Sequence, residues 1–182
     1  MASKARAYAE QARADYDAYV ASGETAESSL GEHHRLQLLQ MALEKLAKAF
    51  LYHAEPNARY PHHVVVSPLN RIRSHAIAEA VGLKLSQFIR MLEAAKPILL
   101  QIEATSPSVG FDGRGLTREE SERTANVEYP WQLDANDAAS WAAPASHSFG
   151  IVRQLRYDPR SYRAIRMIDR LIHAANAVLP MP

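Results

Sequence analysis

The fold class follows from one stretch of sequence, LQLLQMALEKLAKAF, which occupies residues 36–50. Its apolar residues recur at alternating steps of three and four, which places them along one side of an α-helix. This spacing is typical of a helix that packs against others in a bundle. The stretch therefore predicts a long amphipathic helix with a buried seam formed by Leu36, Leu39, Leu43, Leu46 and Phe50.

A second apolar stripe precedes this helix. Its members are again three and four residues apart, so we predict a first helix from about Ser3 to Ala21. Gly23 follows as the expected C-terminal cap, because glycine is the usual residue at that position. The predicted stripe consists of Ala5, Tyr8, Ala12, Tyr16 and Tyr19.

Three more helices are predicted after the second one. The first begins at Ser67-Pro68, a capping serine followed by a first-turn proline, and ends near Gly82. The next covers residues 85–102, where apolar residues again recur at three and four. The last begins at Asp158-Pro159, where a capping aspartate precedes a proline that helices accept in their first turn.

Between residues 105 and 146 the helical pattern lapses, and glycine, serine, proline, aspartate and asparagine become frequent. Thr117 and Glu120 have the spacing of a capping box, which predicts one short helix there. Trp131 and Trp141 indicate an ordered segment packed on the bundle rather than a linker. The prediction is a single all-α domain over residues 1–182, an antiparallel bundle of four to five main helices with a long ordered loop excursion.

Composition excludes several classes of function. The 182-residue chain has no cysteine, which rules out disulfides, thiolate nucleophiles and cysteine-ligated zinc. The formal net charge of +1 does not indicate a strongly basic nucleic-acid-binding protein. Residues 1–19 lack the apolar core of a signal peptide, and no apolar run approaches the ~18 residues of a membrane span. We therefore expect a cytoplasmic protein without a membrane partner.

The histidines do not have metal-site spacing, and no catalytic serine motif is present. His33-His34 and His62-His63 are adjacent pairs, and neighbours on a helix point about 100° apart. No His-x-x-x-His or Glu-x-x-His pair occurs, and neither Gly-x-Ser-x-Gly nor a phosphate-binding glycine loop is found. We expect no metal ion and no cofactor.

Two further patterns have competing interpretations. Residues 77–88 have the apolar and glycine rhythm of a helix-turn-helix, but the candidate recognition helix is mostly apolar, so a bundle corner explains it better than DNA binding. Glu44, Lys45 and Lys48 are compatible with a nucleotide site. An exposed ion pair between Glu44 and Lys48 with a spare lysine is the favoured interpretation.

The last helix carries the one local charge bias. Six arginines lie between Arg153 and His173, against only two aspartates. Arg166 and His173 are seven residues apart, nearly two turns, so they lie on almost the same line with Arg170 between them and Arg163 close by. Arginines at this spacing can hold phosphate oxygens, and a histidine can transfer a proton. Taken on its own, however, the pattern is interpreted first as a solvated helix face, and a phosphate-binding stripe is the alternative.

The run from Leu39 to Leu51, LQMALEKLAKAFL, resembles the second helix of HEPN domains. These helical bundles are named for higher-eukaryote and prokaryote nucleotide binding, and their second helix has a Gln-x-Ala-x-Glu-Lys-x-x-Lys-Ala-x-Leu-like string. The segment Asn126–Trp131, with the later Pro144 and Phe149, resembles an uncharacterised bacterial branch of the same superfamily.

The resemblance implies a non-catalytic interaction module or nucleotide/RNA-binding module, expected as a homodimer, with an antitoxin or a nucleotidyltransferase as a partner protein. The alternative that it implies is a metal-independent, toxin-like ribonuclease. Arg166 and His173 would then be catalytic, because six residues separate them, which is the upper end of the family spacing; Arg163 and Arg170 would bind substrate. Active members usually carry a polar residue after the arginine, whereas this chain has Met167.

Overall fold

The computed structural model describes residues 3–24, 31–57, 59, 72–107, 115–128, 130–133, 140–146 and 148–179. These residues form a mostly helical structure, which confirms the predicted all-α fold class. The predicted helix start at Ser67-Pro68 lies outside the described residues. The prediction of one continuous helix from there to Gly82 was wrong, because residues 72–74 are not helical and Ser74 caps a helix that begins at His75. In chain order the elements are α1 (Lys4–Glu24), α2 (Glu32–Ala54), α3 (His75–Ala80), α4 (Leu85–Glu103), α5 (Arg118–Glu122), β1 (Trp131–Gln132), β2 (Trp141–Ala142), α6 (Gly150–Tyr157) and α7 (Pro159–Val178).

Helices α1 and α2 form an antiparallel pair. At one end, the Lys4 ammonium lies 3.7 Å from the centroid of the Tyr52 ring. At the other end, the guanidinium carbon of Arg35 lies 5.6 Å from the centroid of the Tyr19 ring. The predicted seam of α2 is buried along its whole length, which confirms the interpretation of the three-and-four spacing.

Gly23 does not cap α1, contrary to the prediction. The helix continues through it to Glu24, and Gly82 is the only described glycine with a positive φ. The absence of a side chain instead leaves room for Arg35, because a Cβ on Gly23 would overlap with the Arg35 Nη2 atom. A glycine late in a helix is therefore not sufficient to predict its end.

Gly82 closes α3 where the sequence predicted a helix end. Its φ is +71°, a conformation that glycine adopts at little cost. The Gly82 N–H donates to the Glu79 carbonyl, and the Leu83 N–H donates to the Ala78 carbonyl, each over 2.9 Å. These two bonds form a Schellman motif, which satisfies carbonyls at the helix end. The chain then turns into α4.

Helix α7 is the central element of the bundle. It contacts α1, α2, α3, α4 and α6, and its apolar side chains join a hydrophobic core that extends from Ala5 to Leu179. The helix begins as predicted: the Asp158 carboxylate accepts a 2.8 Å hydrogen bond from the Arg160 N–H, and Pro159 occupies the first turn. Its orientation is fixed by fully buried side chains on one face, namely Ala164, Met167, Ile168, Leu171, Ile172 and Ala175.

The segment between α4 and α7 is partly described and contains regular structure. Thr117 and Glu120 form the predicted capping box of α5. Strands β1 and β2 pair antiparallel, with Trp131 opposite Ala142. Trp131 is buried, and its ring centroid is 6.3 Å from that of Phe149, whereas Trp141 is half-exposed. Helix α6 was not predicted, because its eight residues make little more than two turns, which is too short for the periodic spacing of Ile151, Val152 and Leu155 to repeat.

Candidate nucleic-acid interface on helix α7

The four candidate site residues lie on the face of α7 that points away from the core. Arg163, Arg166 and His173 are exposed, and Arg170 is half-buried. The rotation of about 100° per residue explains this placement, because the core positions occupy the opposite side of the same helix. We call these four residues the arginine stripe.

Tyr162 adds an aromatic ring to the arginine stripe. Tyr162 is 63% exposed, so its side chain is accessible from solvent. The guanidinium carbon of Arg166 lies 5.8 Å from the ring centroid, within the range of a cation–π contact. The sequence analysis missed Tyr162, although its four-residue spacing from Arg166 places both side chains on neighbouring positions of one helix face.

The arginines of the stripe are not neutralised by described neighbours. Among the residues that the structure describes, no carboxylate forms an ion pair with Arg163, Arg166 or Arg170. Two arginines outside the stripe behave differently: Arg156 pairs with Glu32 at 2.5 Å, and Arg160 pairs with Asp158 at 2.9 Å. The positive charge of the stripe is thus presented to solvent.

His173 is held by the preceding turn of its own helix. Its Nδ1 lies 2.8 Å from the Asp169 carbonyl oxygen and 3.5 Å from the Asp169 carboxylate. A carbonyl oxygen only accepts hydrogen bonds, so Nδ1 carries a proton. Nε2 is therefore the ring nitrogen that remains for proton transfer or for a hydrogen bond to a ligand.

Asp169 also acts on the neighbouring helix α1. Burial and the negative charge of Asp169 together raise the pKa of the Tyr16 hydroxyl well above its usual value. Tyr16 is buried in the core beside α7, so its hydroxyl stays protonated. The Asp169 carboxylate thus lies beside His173 and close enough to Tyr16 to affect its pKa.

Arg166 and His173 do not share an enclosed site on one chain. Seven residues of helix correspond to about 10 Å along the axis, and both side chains lie on open surface. Two cavities among the described residues are lined by other side chains, including Tyr19 and Arg35 in one and Phe50 and Ile77 in the other. The residue after Arg166 is Met167, which is fully buried. A polar side chain at that position would face the core at a desolvation cost.

The candidate nucleotide-site lysines of α2 are engaged in structural contacts. Lys48 donates to Glu44 at 2.6 Å, as the four-residue spacing predicted, but the pair is not exposed: the Lys48 side chain retains 5% of its accessible surface. Lys45, expected to be spare, pairs with Asp15 of α1 at 2.7 Å. The Lys45–Asp15 contact joins α2 to α1. The expectation that the Glu44–Lys48 pair is exposed was wrong.

No group of three or more potential metal ligands occurs within the described residues. The rings of His33 and His34 lie 3.9 Å apart, and burial together with the neighbouring His34 lowers the pKa of His33. The pair His62-His63 lies outside the described residues. None of the helices in the described ranges is long and apolar enough to span a membrane.

The geometry of the stripe resembles a binding surface for phosphate more than an enclosed catalytic site. Exposed guanidinium groups hold phosphate oxygens, and an exposed ring can stack on a base. Comparison of the chain with protein-family models, with curated proteins and with solved structures found no match.

Proposed function

We propose that this chain is a non-catalytic, HEPN-like module that binds RNA or nucleotide phosphate through the arginine stripe and Tyr162. The observation that carries the proposal is one row of three arginines, two exposed and Arg170 half-buried, without described ion-pair partners beside an exposed aromatic ring. Cations that contact the backbone, together with a ring that stacks on bases, are what sequence-independent single-strand binding requires. The resemblance of residues 39–51 to HEPN domains supports the same class of ligand.

The test is the binding of a fluorescently labelled single-stranded RNA, followed by polarisation at several salt concentrations. If three arginines contact phosphates, the logarithm of the affinity falls against the logarithm of the salt concentration with a slope of about −2. The triple variant Arg163→Gln, Arg166→Gln, Arg170→Gln is expected to lose most of the affinity and most of the slope. A single substitution is expected to lower the slope by about 0.7.

A matched control removes the same charge elsewhere. Arg13, Arg118 and Arg123 are exposed and pair with carboxylates on their own helices. The triple variant Arg13→Gln, Arg118→Gln, Arg123→Gln is expected to bind RNA nearly as well as the unmodified protein. Equal losses in the two triple variants, or no binding by the unmodified protein, would exclude the stripe as the RNA-binding surface.

A second candidate function is the metal-independent ribonuclease. The position of His173 favours it, because Nδ1 is fixed on the Asp169 carbonyl and Nε2 is left to exchange a proton. Since Arg166 is about 10 Å away along the same helix, this candidate requires a homodimer in which the Arg166 of one copy approaches the His173 of the other.

The two functions are separated by incubating labelled RNA with the purified protein in a metal chelator. A ribonuclease loses cleavage in His173→Ala and in Arg166→Ala but keeps it in His53→Ala, which removes an exposed histidine on α2. Mixing the two inactive variants restores part of the cleavage if the site is shared between two copies. The absence of cleavage by the folded protein excludes the enzyme and leaves the binding proposal intact.

A further inference from the structure

A cavity of about 180 Å³ lies away from the arginine stripe, where the end of α1 and the start of α2 meet α6. Three features make it different from a packing defect: an aromatic wall, an apolar floor and two guanidinium groups. Its principal lining residues are Tyr19, Arg35, Leu36, Val152, Leu155 and Arg156.

Arg35 is the cation of this cavity and has an unused hydrogen-bonding group. Its Nε atom is buried and has no hydrogen-bond partner, and no described carboxylate pairs with its guanidinium. The group lies over the Tyr19 ring and against Gly23, so packing holds it in place. Arg35 therefore lines the cavity with a positive charge that no carboxylate among the described residues balances, and such a charge favours an anion in the space beside it.

The second guanidinium lies at the cavity wall. Arg156 pairs with Glu32 at 2.5 Å, and more than half of each side chain is exposed. An exposed ion pair of this kind contributes little and exchanges readily with another anion. With both arginines and Glu32 counted, the lining carries one net positive charge, which comes from Arg35.

The remaining lining is apolar. Leu36 is buried, while Val152 and Leu155 are half-buried around the empty space. An apolar cavity of roughly 150 Å³ holds a benzene molecule, so this one has room for about one ring. We propose that the cavity binds a small organic anion, a carboxylate or phosphate group on an apolar body the size of one ring. The head group pairs with Arg35, and the body lies between Tyr19 and Leu155.

The test uses benzoate and phenyl phosphate as probes, with benzyl alcohol as the uncharged analogue of the same size. Binding to the full chain is followed by the amide shifts of Tyr19, Arg35 and Val152 in nuclear magnetic resonance spectra. At least one of the two anions is expected to bind saturably and more tightly than benzyl alcohol by about tenfold, the factor for a charge-assisted contact. The comparison of the two anions identifies the preferred head group.

Two variants and one control locate the site. Arg35→Gln removes the cation and is expected to weaken anion binding about tenfold or more. Leu155→Trp keeps Arg35 but fills the cavity with a larger side chain, and it is expected to abolish anion binding. Arg13→Gln removes an exposed charge from α1 and is expected to leave binding unchanged. Circular dichroism confirms the folding of each variant, and Leu155→Trp provides the test if Arg35→Gln does not fold.

Two results would overturn the proposal. One is the absence of saturable binding of both anions to the unmodified protein. The other is anion binding that Arg35→Gln and Leu155→Trp leave unchanged. Because no RNA is used, neither result depends on the function proposed for the arginine stripe.

Discussion

The Asp15 carboxylate and the Lys45 ammonium meet across the α1–α2 interface with Oδ2 and Nζ 2.7 Å apart. Asp15 also accepts a 2.9 Å hydrogen bond from Gln11 one turn earlier. The Asp15 and Lys45 side chains retain only 9% and 20% of their surface, so solvent screens this pair less than a surface pair. The contact fixes the register of two helices that also line the Arg35 cavity.

We expect Asp15→Ala to lower the free energy of unfolding by about 2 kcal/mol, because it leaves a partly buried ammonium without its acceptor. The comparison is Asp17→Ala, which breaks the exposed pair with Arg13 and is expected to cost less than about 0.5 kcal/mol. Urea denaturation of the two variants measures both values. Similar costs for the two substitutions would show that the interface pair does not stabilise the fold.

Tyr162 is expected to contribute to RNA binding through its ring. Stacking of a base on an aromatic side chain is worth about 1–3 kcal/mol by alanine substitution, so Tyr162→Ala weakens binding by roughly fivefold to more than a hundredfold. Tyr162→Phe keeps the ring and is expected to bind within about twofold of the unmodified protein. Polarisation titrations at one salt concentration check this prediction. A loss in the phenylalanine variant as large as in the alanine variant would assign the effect to the hydroxyl group.

Helical periodicity and capping residues predicted the long elements of this fold. The seam of α2 and the start of α7 lie where the sequence placed them, because burial of one helix face and a capping carboxylate are local properties. The same local signals predicted that the arginine stripe points away from the core. The position of Tyr162 beside Arg166 could also have been predicted, since the four-residue spacing between them is visible in the sequence.

Features that depend on tertiary contacts could not be predicted from these local signals. The spacing of Glu44 and Lys48 predicted their ion pair but not its burial, because the spacing does not show which face α1 covers. The cavity beside Arg35 forms only where α6 packs on α1 and α2, which are distant from it in sequence. Helix α6, which contributes Val152, is also too short to show periodicity. Such a site is visible only after the helices have been placed.

Asp158 is expected to link the stability of α7 to pH. Hydrogen bonds from Arg160 hold the pKa of the Asp158 carboxyl below its usual value of about 4. A lowered pKa in the folded state means that this stabilisation is complete above the unfolded pKa and is lost as the pH falls through the folded one. Asp158→Asn keeps a capping oxygen but removes the charge.

We therefore expect the unmodified protein to be more stable than Asp158→Asn at pH 7 and the difference to disappear towards pH 2. Asp158→Ala, which also lacks the capping oxygen, is expected to remain less stable than both at every pH. Urea denaturation of the three proteins between pH 2 and pH 7 provides the comparison. A difference between the first two that does not change with pH would contradict the assigned role of the Arg160 contact.

Gly82 and Gly150 allow backbone conformation to be tested without side-chain crowding, because a Cβ at either position meets no atom within 4 Å. Gly82 has a φ of +71°, so Gly82→Ala is expected to cost about 1–2 kcal/mol in the free energy of unfolding. Gly150 opens α6 without a positive φ, so Gly150→Ala is expected to stabilise the protein by up to about 1 kcal/mol. Urea denaturation measures both changes. Gly150→Ala serves as the control, because space is open at both sites. If both variants lowered the free energy of unfolding, the loss in Gly82→Ala could not be assigned to the left-handed conformation of Gly82.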